Sequence, residues 1–117
     1  MIEKRMHIAV LYDFYGKLLT EKQRRAMELF YEEDYSLGEI SSLSGSSRQA
    51  VYDLISRSEN LLEHYEECLG IVGAYLRRQD QLSSLERLAA TIEHSSPNER
   101  WLEFWRQWYQ MADEERR

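Results

Sequence analysis

At five places a Ser or Thr that stands three positions ahead of a Glu or Gln opens an apolar-periodic run: Thr20–Gln23, Ser36–Glu39, Ser46–Gln49, Ser83–Glu86 and Ser96–Glu99. At this spacing the hydroxyl accepts from a free backbone amide at a helix start, and the longer side chain reaches back to the amide of the capping residue. Each pair opens a run of apolar residues at helical spacing, which restricts the chain to helices. Pro97 sits at the first helical position of the last pair, where its missing N–H costs nothing. One proline and five glycines are too few for the turns of an all-β chain.

The spacing predicts six helices. The first covers residues 4–16 with Ile8, Leu11, Tyr12 and Tyr15 on one face. The second, 21–32, buries Ala26 or Met27 with Leu29 and Phe30. A short third covers 37–43. The fourth starts near Ser47 and extends as far as residue 79, followed by helices over 84–94 and 97–113. An apolar share of 43% is enough for a core, and 31% charged residues suit a solvated helical exterior. The expected fold is all-α, a helical bundle with a long helix leading to C-terminal helices. Residues 1–69 are expected to form one domain and 70–117 a C-terminal helical extension.

The long helix repeats its apolar residues every seven positions. Ile55, Leu62, Leu69 and Leu76 form one line, Leu54, Leu61, Cys68, Tyr75 and Leu82 a second, and Val51, Ser58, Tyr65, Val72 and Gln79 a third. A stripe this wide exceeds a two-residue coiled-coil seam and calls for burial along the whole helix. Gly70 and Gly73 interrupt it, each costing up to ~1 kcal/mol of helix propensity. They either mark a kink or admit another helix, so residues 70–96 read as one helix or two.

Between the third and fourth helices lies Ser44-Gly45-Ser46. Two short helices joined by a glycine-centred turn form a helix-turn-helix. Gly45 can take the positive φ that ends a helix tightly. Ile40 and Leu43 are expected to face inward from the first helix, and Val51, Leu54 and Ile55 from the second. The start of the second helix then projects Ser47, Arg48, Gln49, Tyr52 and Asp53 as the candidate DNA-reading surface. Arginine suits guanine edges, glutamine suits adenine edges, and helix N-terminal amides hold phosphate. A capping glutamine on an exposed helix start is the plainer account of Gln49.

Charge limits that surface. The net charge of −6 opposes broad attraction to nucleic acid, so any contact patch is small. Lys17, Lys22, Arg24 and Arg25 cluster around a single acid, Glu21, whereas Glu28, Glu32, Glu33 and Glu39 follow with no base among them. Lys22, Arg24 and Arg25 are the candidate phosphate contacts, though a solvated helix face explains such charges equally well.

At this point a resemblance is visible. Residues 11–69 resemble the YlxM family of small bacterial proteins related to region four of sigma factors. The matching words are Leu19-Thr20-Glu21-Lys22-Gln23, Tyr35-Ser36-Leu37-Gly38-Glu39-Ile40 and above all Ser47-Arg48-Gln49-Ala50-Val51-Tyr52-Asp53, with Glu63-His64-Tyr65-Glu66 resembling the end of the family's long helix. The resemblance implies a sigma region four-like fold and a DNA-binding regulator of transcription. Family members are commonly encoded beside the signal recognition particle GTPase, which suggests components of that particle as partners. The chain departs from the usual pattern at Ser41, Ser44 and Ser46, where such motifs carry apolar residues. Losing those contacts is expected to weaken the turn by ~1–3 kcal/mol.

The last helix places Trp101, Phe104, Trp105, Trp108 and Met111 at helical spacing, a packed aromatic face in an acidic setting unsuited to base stacking. So many rings on a small chain favour a homodimer. The candidate dimerisation residues are Leu69, Val72, Leu76, Trp101, Trp105 and Trp108. His64 and Cys68, four apart, are two metal ligands at most, so no metal and no cofactor is expected. The sequence holds no nucleophile elbow, Walker loop or dinucleotide fingerprint, and the chain is read as a binding protein, not an enzyme. No apolar run spans a bilayer, and Met1–His7 is not followed by the apolar stretch of a signal peptide. With one cysteine, a cytoplasmic location is expected. The partner is then double-stranded DNA. The alternative is a protein-interaction module that keeps the helix-turn-helix as a scaffold.

Overall fold

The computed structural model describes residues 2–92 and 99–115. They form α1 (Ile2–Tyr15), a 3-10 turn (Gly16–Leu18), α2 (Glu21–Met27) continued by a wide turn (Glu28–Glu32), α3 (Leu37–Ser44), α4 (Arg48–Leu69), α5 (Ile71–Ile92) and α6 (Glu99–Glu115). The fold is all-α, with no strand among the described residues. It divides into two units, residues 1–74 and 75–117.

Caps fix where the helices start. Thr20 and Ser36 each form a complete reciprocal capping box, with Gln23 and Glu39 respectively. The third box is displaced by one residue. Ser47, not Ser46, caps α4 by accepting from the Ala50 amide at 3.0 Å, and Gln49 is left to other bonds. Ser83–Glu86 lies inside α5 rather than at a helix start, because α5 begins at Ile71, directly after the break at Gly70. Ser96–Pro97 lies outside the described residues. The long fourth helix therefore ends at Leu69, ten residues short of its expected limit. Gly70 takes φ +62° and its amide bonds Glu66 O at 2.8 Å, the left-handed stop that only glycine adopts without strain. Residues 71–92 then form one helix.

The first unit packs α1, α2 and α3 against α4 around Ile8, Leu11, Tyr15, Leu19, Ala26, Met27, Leu29, Ile40, Val51, Ile55, Leu62 and Val72. The inward face expected for α1 is the one observed, with Tyr12 half-buried beside it. Leu43, expected inward, is 61% exposed. The inner face of α3 is set by Leu37, Ile40 and Ser41, and Leu43 falls roughly a third of a turn away from it. α2 ends in a wide turn, with the Glu33 amide on Glu28 O, and the chain reverses at Asp34, φ +55°. Arg5 holds this end. Its guanidinium donates to Phe30 O and Asp34 Oδ1, both at 3.1 Å, and lies over the Phe30 and Tyr31 rings.

In the second unit, only Trp108 and Ala112 are buried among the described residues. The aromatic residues of α6 stack on one another along the helix. Trp101 lies 5.4 Å from Phe104 and 5.7 Å from Trp105, and Trp105 lies 5.7 Å from Tyr109.

Candidate nucleic-acid interface

The corner between α3 and α4 is built from small polar residues. Gly45 adopts φ +74°, and its amide donates to Ser41 O at 3.0 Å. Ser41 Oγ donates to Ser46 O at 2.5 Å, and the Ser46 amide donates to Ser44 Oγ at 3.3 Å. The serines that replace apolar residues at this turn thus exchange hydrophobic contact for hydrogen bonds across the corner. Each such bond contributes about 0.5–1.5 kcal/mol, comparable to the packing lost. The expected loosening is offset by this bonding.

From that corner α4 projects outward. Val51 and Ile55 are buried at 2% and 4%, which fixes the opposite face of the helix toward solvent. Ser47, Arg48, Gln49, Tyr52 and Asp53 are all exposed. Gln49 Nε2 donates to Asp53 Oδ1 at 3.0 Å, so the two polar groups hold each other in place on the outer face.

An open groove of about 1130 Å³ runs beside this helix start. Its walls are α2, the α3–α4 corner and the first three turns of α4. Lys22, Arg24 and Arg25 line it from α2, Ser44 and Ser46 from the corner, and Ala50, Asp53, Leu54 and Arg57 from α4. Three of the four basic residues singled out in the sequence therefore share a groove with Asp53, whereas Ser47, Arg48, Gln49 and Tyr52 do not line it. Lys17 is exposed and does not line the groove. Arg57 was missed, although Ala50, Asp53, Leu54 and Arg57 share one helical face by spacing alone. The groove also carries Glu21, Glu28 and Asp53. Tyr12 donates to Glu28 Oε1 at 2.7 Å. The acids Glu32 and Asp34 lie elsewhere, Glu32 in a small recess beside α1 and Asp34 on Arg5.

The residues expected to pair two copies are scattered. Leu69 and Leu76 are 56% and 54% exposed. Val72 is 6% exposed and belongs to the core of the first unit, which leaves it no surface to offer a second chain. Trp108 is buried, and Trp101 and Trp105 are half-buried. Cys68 Sγ lies 3.6 Å from His64 Nε2, and no third ligand joins them among the described residues. No described helix is long and apolar enough to cross a membrane.

Known proteins give the same picture of the fold. Residues 2–99 match the UPF0122 family, described as "Putative helix-turn-helix protein, YlxM / p13 like". The match extends beyond the words that carry the resemblance and ends at the first residue of α6. A UPF0122 protein of Geobacillus kaustophilus is 54% identical over 86 residues, covering 74% of this chain and 78% of that protein. One from Oceanobacillus iheyensis is 51% identical over 94 residues, covering 80% and 89%, and one from a Thermoanaerobacter species is 47% identical over 95 residues, covering 81% and 79%. With a corner turned at Gly45, an exposed helix start at Ser47 and these relatives over most of its length, the chain belongs to the UPF0122 family of YlxM / p13-like helix-turn-helix proteins.

Proposed function

We propose that this chain binds double-stranded DNA through the start of α4 and acts in the cytoplasm as a dimeric regulator of transcription, by binding and not by catalysis. The observation that carries this reading is the gathering of Lys22, Arg24, Arg25 and Arg57 around a groove whose α4 wall begins at Ala50, two residues past the exposed Arg48. A helix that enters the major groove by its first turns brings neighbouring cations onto the phosphates that flank it. Arg48 and Gln49 then read base edges, Asp53 orients Gln49, and Ser47 and Tyr52 add polar contact at the groove wall. Two copies joined through their C-terminal helices would set the spacing of two half-sites.

The test is binding of mixed genomic duplex DNA at several salt concentrations. Each phosphate contact contributes about 0.9 to the slope of log affinity against log salt. Arg24→Glu with Arg25→Glu is expected to flatten the slope by roughly two contacts. An unchanged slope would remove these residues from the interface.

One observation favours a second reading, in which the groove receives a protein. Glu21, Glu28 and Asp53 interleave with its cations, a mixture that suits a protein surface better than a row of phosphates. Under that reading the signal recognition particle components suggested by the resemblance are the first partners to assay, and binding of duplex DNA would be absent at physiological salt.

A further inference from the structure

The C-terminal unit carries more apolar surface than its two helices can use. Leu85, Leu88 and Ile92 on α5 and Leu102, Phe104 and Met111 on α6 are 41–59% exposed. On α6 the line through Trp105 and Trp108 is flanked by Leu102 on one side and by Phe104 and Met111 on the other. This is about half the circumference at 100° per residue, whereas the core-facing stripe of a surface helix is roughly 100° wide. A folded unit needs two packed layers, and segments of about 40 residues usually reach that state by associating.

We propose that two copies of this chain pair through residues 75–115 into a four-helix bundle, with α5 of one protomer beside α6 of its partner. A second copy fits because the two helices are electrically complementary. On α5, Arg77, Arg78 and Arg87 outnumber Asp80 and Glu86. On α6, Glu99, Glu103, Asp113 and Glu114 outnumber Arg100 and Arg106. Setting α5 against the partner's α6 is attractive, and a two-fold axis makes that contact twice, whereas α6 against α6 sets acid on acid. Six large apolar side chains, each 41–59% exposed, form a patch on the order of 500 Å², the size at which an exposed apolar surface marks an interaction site. That is the larger part of the ~800 Å² per partner of a standard interface.

The proposal deepens the dimeric part of the functional reading and gives it a surface different from the one the sequence suggested, with Leu85, Leu88 and Ile92 in place of Leu69 and Val72. It does not depend on DNA. The test is sedimentation equilibrium of the full chain at tens of micromolar. The wild type is expected at twice the 14.1 kDa chain mass, and Leu88→Glu with Ile92→Glu at the mass of one chain, with helical circular dichroism retained. Leu102→Glu, on the other helix, is expected to give the same single-chain mass and decides the matter if the first variant loses helicity. Arg48→Ala is expected to remain a dimer, which separates pairing from DNA contact. A wild type at single-chain mass overturns the proposal, and so do folded variants that stay paired.

Discussion

Tyr15 donates its hydroxyl hydrogen to Glu66 across 2.5 Å, tying the end of α1 to the last turn of α4. The same two residues hold the start of α5. The Ile71 amide donates to the Tyr15 hydroxyl oxygen at 3.1 Å, and the Val72 and Gly73 amides donate to the Glu66 carboxylate, both at 3.0 Å. The first amides of a helix have no partner within it, and a carboxylate there also meets the positive end of the helix dipole. The corner at Gly70 is thus locked by one phenol and one carboxylate.

Removing the phenol is expected to be costly. Tyr15 is 2% exposed, and Tyr15→Phe leaves Glu66 and the Ile71 amide each short of a bond, a loss of ~1–3 kcal/mol. Chemical denaturation measures the loss, and hydrogen exchange is expected to quicken at Ile71–Gly73 before it does in the rest of the core.

The carboxylate predicts an acid limb. The hydrogen bond from Tyr15, helped by the Gly73 and Val72 amides and opposed by burial, holds Glu66 below its usual 4.5. A carboxyl whose folded-state pKa is lowered adds stability that is present above the unfolded value and is lost as pH falls through the folded one. Denaturation midpoints between pH 6 and pH 2 are expected to fall with acid, and Glu66→Gln is expected to flatten that fall.

Alkali acts on other residues. Burial, followed by the bond to Glu28, raises Tyr12 to about 12, and burial with the bond to Glu59 raises Tyr31 further. Tyr15 is raised by burial and by Glu66. A raised folded-state pKa means that stability is present below 10 and is lost as pH climbs past the folded value. Ultraviolet titration is expected to show these three tyrosines ionising well above 10, and unfolding in denaturant should bring them down to about 10, the value of a free phenol.

The corner glycine predicts a purely backbone effect. A Cβ at Gly45 would meet nothing within 4 Å, so substitution there costs only the strain of φ +74°. Gly45→Ala is expected to cost about 1–2 kcal/mol and Gly45→Asn less, since asparagine tolerates this conformation. Thermal melts of the pair check the order.

How far the residues themselves disclosed this arrangement varied with the kind of signal. Thr20 and Ser36 marked their helices correctly because each is the sole hydroxyl at its start. Ser46 and Ser47 stand together, and spacing cannot say which of two adjacent serines caps. Ser83 shows the same pattern within a helix, where Ser84 accepts instead from Arg87 at 3.4 Å. Leu69 continues the sevenfold line of Ile55 and Leu62, which are buried, but is itself 56% exposed, because α1 ends at Tyr15 beside Glu66, one turn short of it. The exposed start at Arg48 was legible from Gly45 and the buried Val51 and Ile55. The groove was not, since bringing Arg24 and Arg25 next to Arg57 depends on how α2 packs across α4, which no local pattern encodes.

The proposed reading of base edges by Arg48 and Gln49 is checked by selecting genomic fragments with the purified full chain and with an Arg48→Ala, Gln49→Ala variant. The wild type is expected to enrich a shared sequence word that the variant loses, with both proteins equally folded. Equal enrichment by the two proteins would contradict it.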